Sequence, residues 1–526
     1  MSAKSYLIFG TLVAAFSFRE MDTVFVHKLL DTHPNEFAIH PSLNLPQNWL
    51  DLILCYSGCP QNAALPTAIE ALIYTIRHEQ LARSPIPMKI SPLPSEQGMS
   101  PKKAHEVSRM SEYVVQLATN LPEPASRLHI VDIGAGQGYL TRTLKARLPS
   151  THILALDADT AQTFGAQRWE QRLLSNAHPP IDHKVIFISP QSLLSTIDEW
   201  VLDPNNGSEN TDILPVPVIF VGLHACGSLT PNILRAFTTA RATKRKWYPA
   251  GLVVVGCCYN LMDPVGVHIS YLFFPLSLNL ELDYPPRLKD FPTSAYQLAA
   301  QVPSQWLQMN SAGPSLDPSA ALSIRKVVYR ALLEKAVLCS RPKDAPLPRN
   351  EAAHMTLPSK KTNPSATVPA RWSRDNTDAG LNSNSESQKK QDTNSESVHR
   401  LGRLRDSAYT SWNSFLHIAE QRMKVVFPLD QFDLEENHAL SDSLSSLHVL
   451  RCLLGPLIES CILRYRLDCV RQLLSVAKVN AEPDEGSSPT HEFRTELVNL
   501  FDQSTGSGRN VAIVIAPPSF DFFSNS

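Results

Sequence analysis

The chain is 526 residues long, 43% hydrophobic and 19% charged, with a net charge of −2 and a pI near 6.8. That length exceeds one ordinary core and calls for two or three domains, or one domain carrying large insertions. The charge balance excludes a chain-wide basic footprint for nucleic acid, so any such surface is local. Nine cysteines, at 55, 59, 226, 257, 258, 339, 452, 461 and 469, form an odd, irregular set that excludes a secreted disulfide framework; a reducing compartment, cytoplasmic or nuclear, is expected instead.

YLIFGTLVAAFSF (6–18) is apolar and follows Lys4, in the manner of a weak signal peptide; the character of the rest favours a core helix or a misassigned start. It is too short to span a bilayer, and no other stretch reads as long and apolar enough, so no membrane partner is expected. Residues 1–98 read as a helical region, with VFVHKLL and LPTAIEALIYTIRHEQLA at helical spacing. MSPKKAHEVSRMSEYVVQLA (99–118) starts a helix at Ser100-Pro101 and puts Val107, Met110, Val114 and Leu117 on one face. Apolar strands then alternate with helices: LHIVDIG, HILALDAD, KVIFIS, PVIFVGLHACG and AGLVVVGCCYN are the five strands of a parallel sheet covered on both faces.

This core occupies 99–265. Residues 261–325 carry many prolines and few clean periods, and 266–339 read as an insertion suited to selecting a substrate. Residues 340–400 are polar and poor in aromatics, a disordered linker by composition. Residues 401–480 are helical, with Cys461 and Cys469 as small core residues, and 481–526 hold two strands around a Gly/Ser turn. That hairpin completes the core sheet. The whole is α/β: a mostly parallel sheet of about seven strands with a C-terminal antiparallel hairpin, a helical N-terminal region and a long, partly disordered insertion.

In LHIVDIGAGQGYLTRTL (128–144), Gly134, Gly136 and Gly138 follow the first strand and let backbone N–H groups approach a ligand. The spacing G-x-G-x-G differs from the dinucleotide G-x-G-x-x-G. Asp132 ends the strand, where a carboxylate suits an ammonium better than a diphosphate. Asp157 ends the second strand, 19 residues after Gly138, where a carboxylate can accept two ribose hydroxyls. Together these describe S-adenosylmethionine better than NAD. Ser189 and Gln191, after the third strand, are candidates for the adenine edge.

In open α/β sheets the reaction site lies beyond the carboxyl ends of the strands. GLHACG and GCCYN end strands four and five, so His224, Cys226, Cys257, Cys258, Tyr259 and Asn260 are expected near the reactive methyl. His224 can take a proton. The cysteines can be a nucleophile, a zinc set together with His224, or packing; H-x-C and C-C are tight for one tetrahedral ion, and no metal is assigned. Lys102 and Lys103 open one helix, and Arg241, Lys244, Arg245 and Lys246 close another. Each group is either a phosphate contact or a solvated helix end, and cations also suit a helix C-terminus.

MSPKKAHEV, VDIGAGQGYLTRTL, GLHACGSLT, GCCYNLM and GPLIES, with the weaker LPQNWLDLI (45–53), together resemble the methyltransferase-like protein 25 family, over about 99–265 and 401–518. That family includes proteins labelled ribosomal RNA adenine dimethylase domain-containing. The resemblance implies a Rossmann-like methyltransferase using S-adenosylmethionine, without implying a substrate. HACG and CCY also look like motifs of the eukaryotic tRNA 2′-O-ribose methyltransferases, which carry histidines after the cysteine pair where this chain has Tyr259-Asn260. Amino-group methylation of adenine goes with an Asn or Asp, two prolines and an aromatic after strand four; here His224-Ala225-Cys226-Gly227 stand there. The expectation is a methyltransferase acting on RNA (tRNA or rRNA), with protein as the alternative substrate and a non-catalytic scaffold as the alternative of another class.

Overall fold

The structure is a computed structural model that describes residues 23–203, 215–262, 293–311, 313–339, 401–427, 437–479 and 492–523. The linker expected at 340–400 and the apolar stretch 6–18 lie outside them, as does much of the proline-rich part of the insertion.

Five parallel strands, β1 (His129–Ile133), β2 (His152–Asp157), β3 (Ile181–Val185), β4 (Val216–Cys226) and β5 (Trp247–Cys257), form the expected sheet. A short hairpin follows, β6 (Leu307–Asn310) with β7 (Gly313–Leu316). β8 (Arg494–Asn499) and β9 (Val511–Ala516) then return to the core sheet in the order β3-β2-β1-β4-β5-β9-β8. β9 lies antiparallel to β5 and β8 antiparallel to β9. The strand order reverses between β1 and β4, which opens a crevice beyond their carboxyl ends.

Neighbouring residues on each strand point to opposite faces, and both faces are covered. On one, Met110, Tyr113, Val114 and Leu117 of a helix over Pro101–Thr119 pack on Ile130, Ile153 and Val253. On the other, Val131, Leu154, Phe220 and Val254 meet Leu193, Ile233, Phe237 and Val470 from helices over Pro190–Val201, Leu229–Ala242 and Gly455–Val479. Each such fully buried aliphatic contributes roughly 1.5–3 kcal/mol. The helix start at Ser100 is as expected: its hydroxyl accepts from Lys103 N at 3.3 Å, and Pro101 takes a position that needs no N–H partner.

Three expectations need correction. The third strand is Ile181–Val185, paired from Ile153↔Ile181 to Asp157↔Val185, rather than the apolar run KVIFIS. That run leaves the sheet edge, buries Ile188, and reaches Ser189, whose hydroxyl caps the next helix. Within the insertion, Pro318–Cys339 is a long helix. Its first turns, to Arg325, fall in the stretch read as lacking clean periods, and Ile324, Val328, Ala331, Leu332 and Ala336 are buried. His438–Val476 is long and apolar enough to cross a membrane by length and composition, yet 89% of its most apolar window is buried within the protein, as in a core helix.

Two compact units result. One comprises 1–32, 48–317 and 446–526 and contains the sheet; the other comprises 33–47 and 318–445. In the second, Tyr329, Tyr409, Trp412 and Phe415 form an aromatic cluster with centroids 5.1–6.4 Å apart. Cys469 is buried and Cys461 half-buried.

Candidate active site

The glycine turn is built as its spacing demands. Gly134, Gly136 and Gly138 all have positive φ, at 79°, 57° and 68°. A Cβ on Gly136 would meet only the Gln162 side chain, at 3.9 Å, so a side chain there would fill the space over the turn. Gly136 N donates to one oxygen of Asp157 at 2.8 Å and Asp159 N to the other at 2.9 Å. Each carboxylate oxygen keeps a further acceptor site. Asp132 is 1% exposed and accepts the Thr141 hydroxyl at 2.5 Å, so it braces the turn from beneath. Burial pushes its carboxyl up to about 6, against the Thr141 hydrogen bond.

The ends of β4 and β5 are irregular, and the irregularities place the side chains. The β4–β5 register slips between Gly222 and Ala225. His224 lies there with φ 65°, and Cys258 follows β5 with φ 50°. A left-handed non-glycine residue costs about 1–3 kcal/mol, so strain is concentrated at these two positions. His224 Nε2 lies 2.7 Å from Glu106 Oε2, and Lys103 Nζ lies 2.8 Å from the same oxygen. Glu106 is 1% exposed, and its Oε1 has no partner among the described residues. Burial opposes its ionisation, but the hydrogen bond from His224 and the Lys103 ammonium outweigh that and hold the carboxyl at about 2.

Beside this dyad, Cys226 Sγ lies 3.1 Å from Cys257 Sγ, and the thiols of Cys226, Cys257 and Cys258 all lie within 4.8 Å of one another. Hydrogen bonding with Cys226 and Cys258, with burial, pushes the Cys257 thiol up; hydrogen bonding with Cys226 and Cys257 holds Cys258 low. Tyr259 turns away from them. It is fully buried, donates to Glu459 Oε1 at 2.9 Å, and stacks under Arg466. Asn260 is half-buried next to it.

The remaining candidates are scattered. Gln191 is exposed in the first turn of its helix, and Ser189 is engaged as the cap of that helix. Lys102 is exposed, whereas Lys103 is turned onto Glu106. Arg241 lies over the Phe493 ring and Arg245 pairs with Asp198, in keeping with a helix-end role. Sequence reasoning missed Glu106, although its place three residues after Lys103 on a helix was a usable signal. It also missed Phe187, which is 83% exposed just beyond β3.

A cavity of about 600 Å³ lies close by, lined by Arg77, Gln80, Arg83, Gln301, Gln305 and Gln503 among others. Glu459 connects it to the end of β5, because Glu459 accepts from Tyr259 and pairs with Arg83 at 2.8 Å.

Residues 102–265 match the methyltransferase domain family. The core is thus similar to a methyltransferase domain. Over 45 residues the chain is 47% identical to the probable methyltransferase-like protein 25 of Homo sapiens, a match covering 9% of this chain and 6% of that protein. Among solved structures, the CurJ carbon methyltransferase is similar at 17% identity, covering 31% of this chain and 37% of that one, with a TM-score of 0.20. The geranyl diphosphate C-methyltransferase of Streptomyces coelicolor A3(2) is similar at 12% identity, covering 34% and 58%, with a TM-score of 0.18.

Proposed function

We propose that this protein transfers the methyl group of S-adenosylmethionine to an RNA acceptor, with His224 as proton acceptor. The observation that carries the reading is the Glu106–His224 pair, 2.7 Å apart at the carboxyl end of β4. A carboxylate on Nε2 fixes the imidazole with its proton on that side, so Nδ1 is the nitrogen that accepts. When the imidazole takes a proton from an acceptor hydroxyl or amine, the Glu106 carboxylate stabilises the cation. Lys103 keeps Glu106 ionised meanwhile.

The residues present fit the cofactor. The open space over Gly136 admits a ligand, and Asp157 keeps acceptor capacity for ribose hydroxyls. Exposed Phe187, two residues beyond β3, offers an apolar face for the adenine. When bound, the cofactor supplies an electrophilic methyl. RNA is the acceptor class the motif resemblance suggests; the cavity beside β5, lined by two arginines, four glutamines, Glu459 and Asp502, offers a polar chain hydrogen-bond partners without a cationic surplus.

The test is transfer of tritiated methyl from S-adenosylmethionine into fractionated RNA and protein from cells lacking this chain. Label in RNA is expected. Label in protein alone would replace the substrate, and no label from a protein that binds the cofactor would favour a scaffold. Glu106→Gln and His224→Ala should lower turnover by roughly 10²–10⁴ while cofactor affinity holds. Full turnover in both would remove the pair from the chemistry.

A further inference from the structure

We propose that Cys226, Cys257 and Cys258 hold a zinc ion at the carboxyl ends of β4 and β5. A tetrahedral zinc with bonds of about 2.3 Å to sulfur needs its ligand sulfurs roughly 3.8 Å apart. The thiols here lie near that spacing: Cys226 and Cys257 at 3.1 Å, and all three within 4.8 Å of one another.

Adjacent cysteines are poor joint ligands on a regular strand, because successive side chains point to opposite faces. The backbone removes that obstacle here. Cys258 is left-handed, at φ 50°, which takes it out of the strand alternation and leaves its thiol on the same side as that of Cys257. The β4 irregularity between Gly222 and Ala225 sets Cys226 directly opposite Cys257. Two separate departures from strand geometry, one within β4 and one just after β5, thus converge on a single three-thiol cluster. Packing alone demands neither, since small apolar residues would fill the same volume without strained backbone.

The cluster also has the asymmetry of an open metal site. Cys257 is buried, while Cys226 and Cys258 are half-buried, so the fourth tetrahedral position opens on their exposed side to a solvent water. Each thiol gives its proton to solvent on binding, and three thiolates leave a single negative charge around Zn²⁺. Arg509 lies within electrostatic range of Cys258 to offset it.

The experiment is metal analysis of the reduced full chain, purified without a metal-affinity step. About one zinc per chain is expected. Replacement by Co²⁺ should produce a thiolate-to-cobalt charge-transfer band. Cys226→Ser and Cys257→Ser should each lower zinc affinity at least about tenfold with far-UV circular dichroism unchanged. Should those variants fail to fold, wild-type chain stripped by a chelator and titrated back with Zn²⁺ decides the matter, with reversible uptake of one ion expected. A reduced, folded chain that takes up no Zn²⁺ and shows no charge-transfer band overturns the proposal. So does zinc retained at full affinity in the folded variants, or a disulfide among these thiols in chain prepared under reducing conditions. The readout is the metal, so its outcome is independent of whether methyl transfer to RNA is found.

Discussion

Asp132 and Glu106 are both 1% exposed, and their surroundings move them in opposite directions. For Asp132, burial, aided by the nearby Asp157 charge, outweighs the Thr141 hydrogen bonds, so its carboxyl rises from 3.8 to about 6. Between those values the native state binds more protons than the unfolded chain, so stability falls as pH rises through this window. The two-unit shift corresponds to about 3 kcal/mol. Relative to Asp132→Asn, the wild type should therefore lose up to about 3 kcal/mol between pH 4 and pH 7.5. Urea unfolding of both proteins at the two pH values measures it, and parallel curves would refute the account. Glu106 runs the other way. Its carboxyl is held at about 2, below its ordinary 4.5, so its contribution is complete above 4.5 and lost as pH falls toward 2.

At the scale of elements, two turns use glycine for different reasons. At Gly227, after β4, φ is 55° and a Cβ would meet the Leu261 carbonyl oxygen at 2.5 Å. Gly227→Ala combines left-handed strain of about 1–2 kcal/mol with an overpacking cost of about 1–3 kcal/mol. It should destabilise by about 2–5 kcal/mol in denaturant titration. At Gly136, φ is 57° but the Cβ meets open space, so Gly136→Ala should cost the fold only about 1–2 kcal/mol. Its larger effect should be weaker binding of S-adenosylmethionine by calorimetry, because the methyl occupies ligand space. Unchanged affinity in a folded Gly136→Ala protein would show that the cofactor lies elsewhere.

At the scale of the molecule, the core sheet is closed by strands far along the chain. β9 inserts between β5 and β8, and all six of its residues are buried. Loop closure permits this arrangement: each doubling of loop length costs only about 0.6 kcal/mol, so a long insertion is cheap beside the burial of a central strand. Truncation before residue 492 would leave β5 as an edge lined by Val253, Val254 and Val255. The truncated chain should aggregate and fail to bind cofactor. A soluble, monodisperse product with intact affinity would contradict this assembly.

The sequence by itself determined what local pattern can encode. Four of the five apolar runs, the glycines after β1, the acids at 132 and 157, and the cap at Ser100 follow from period, turn chemistry and end effects within a few residues. The closing hairpin was legible because its strands flank a Gly/Ser turn. The tertiary structure alone decided which side chains meet. Glu106 reaches His224 across 118 residues, and Tyr259 reaches Glu459 across 200. It withdrew Asp132 beneath the turn, and gave Tyr259 a structural partner although it sits beside the thiols. It also brought Cys257 and Cys258 to one side through a left-handed residue. None of these leaves a period in the sequence, because each depends on the register of distant strands and on single backbone angles set by packing.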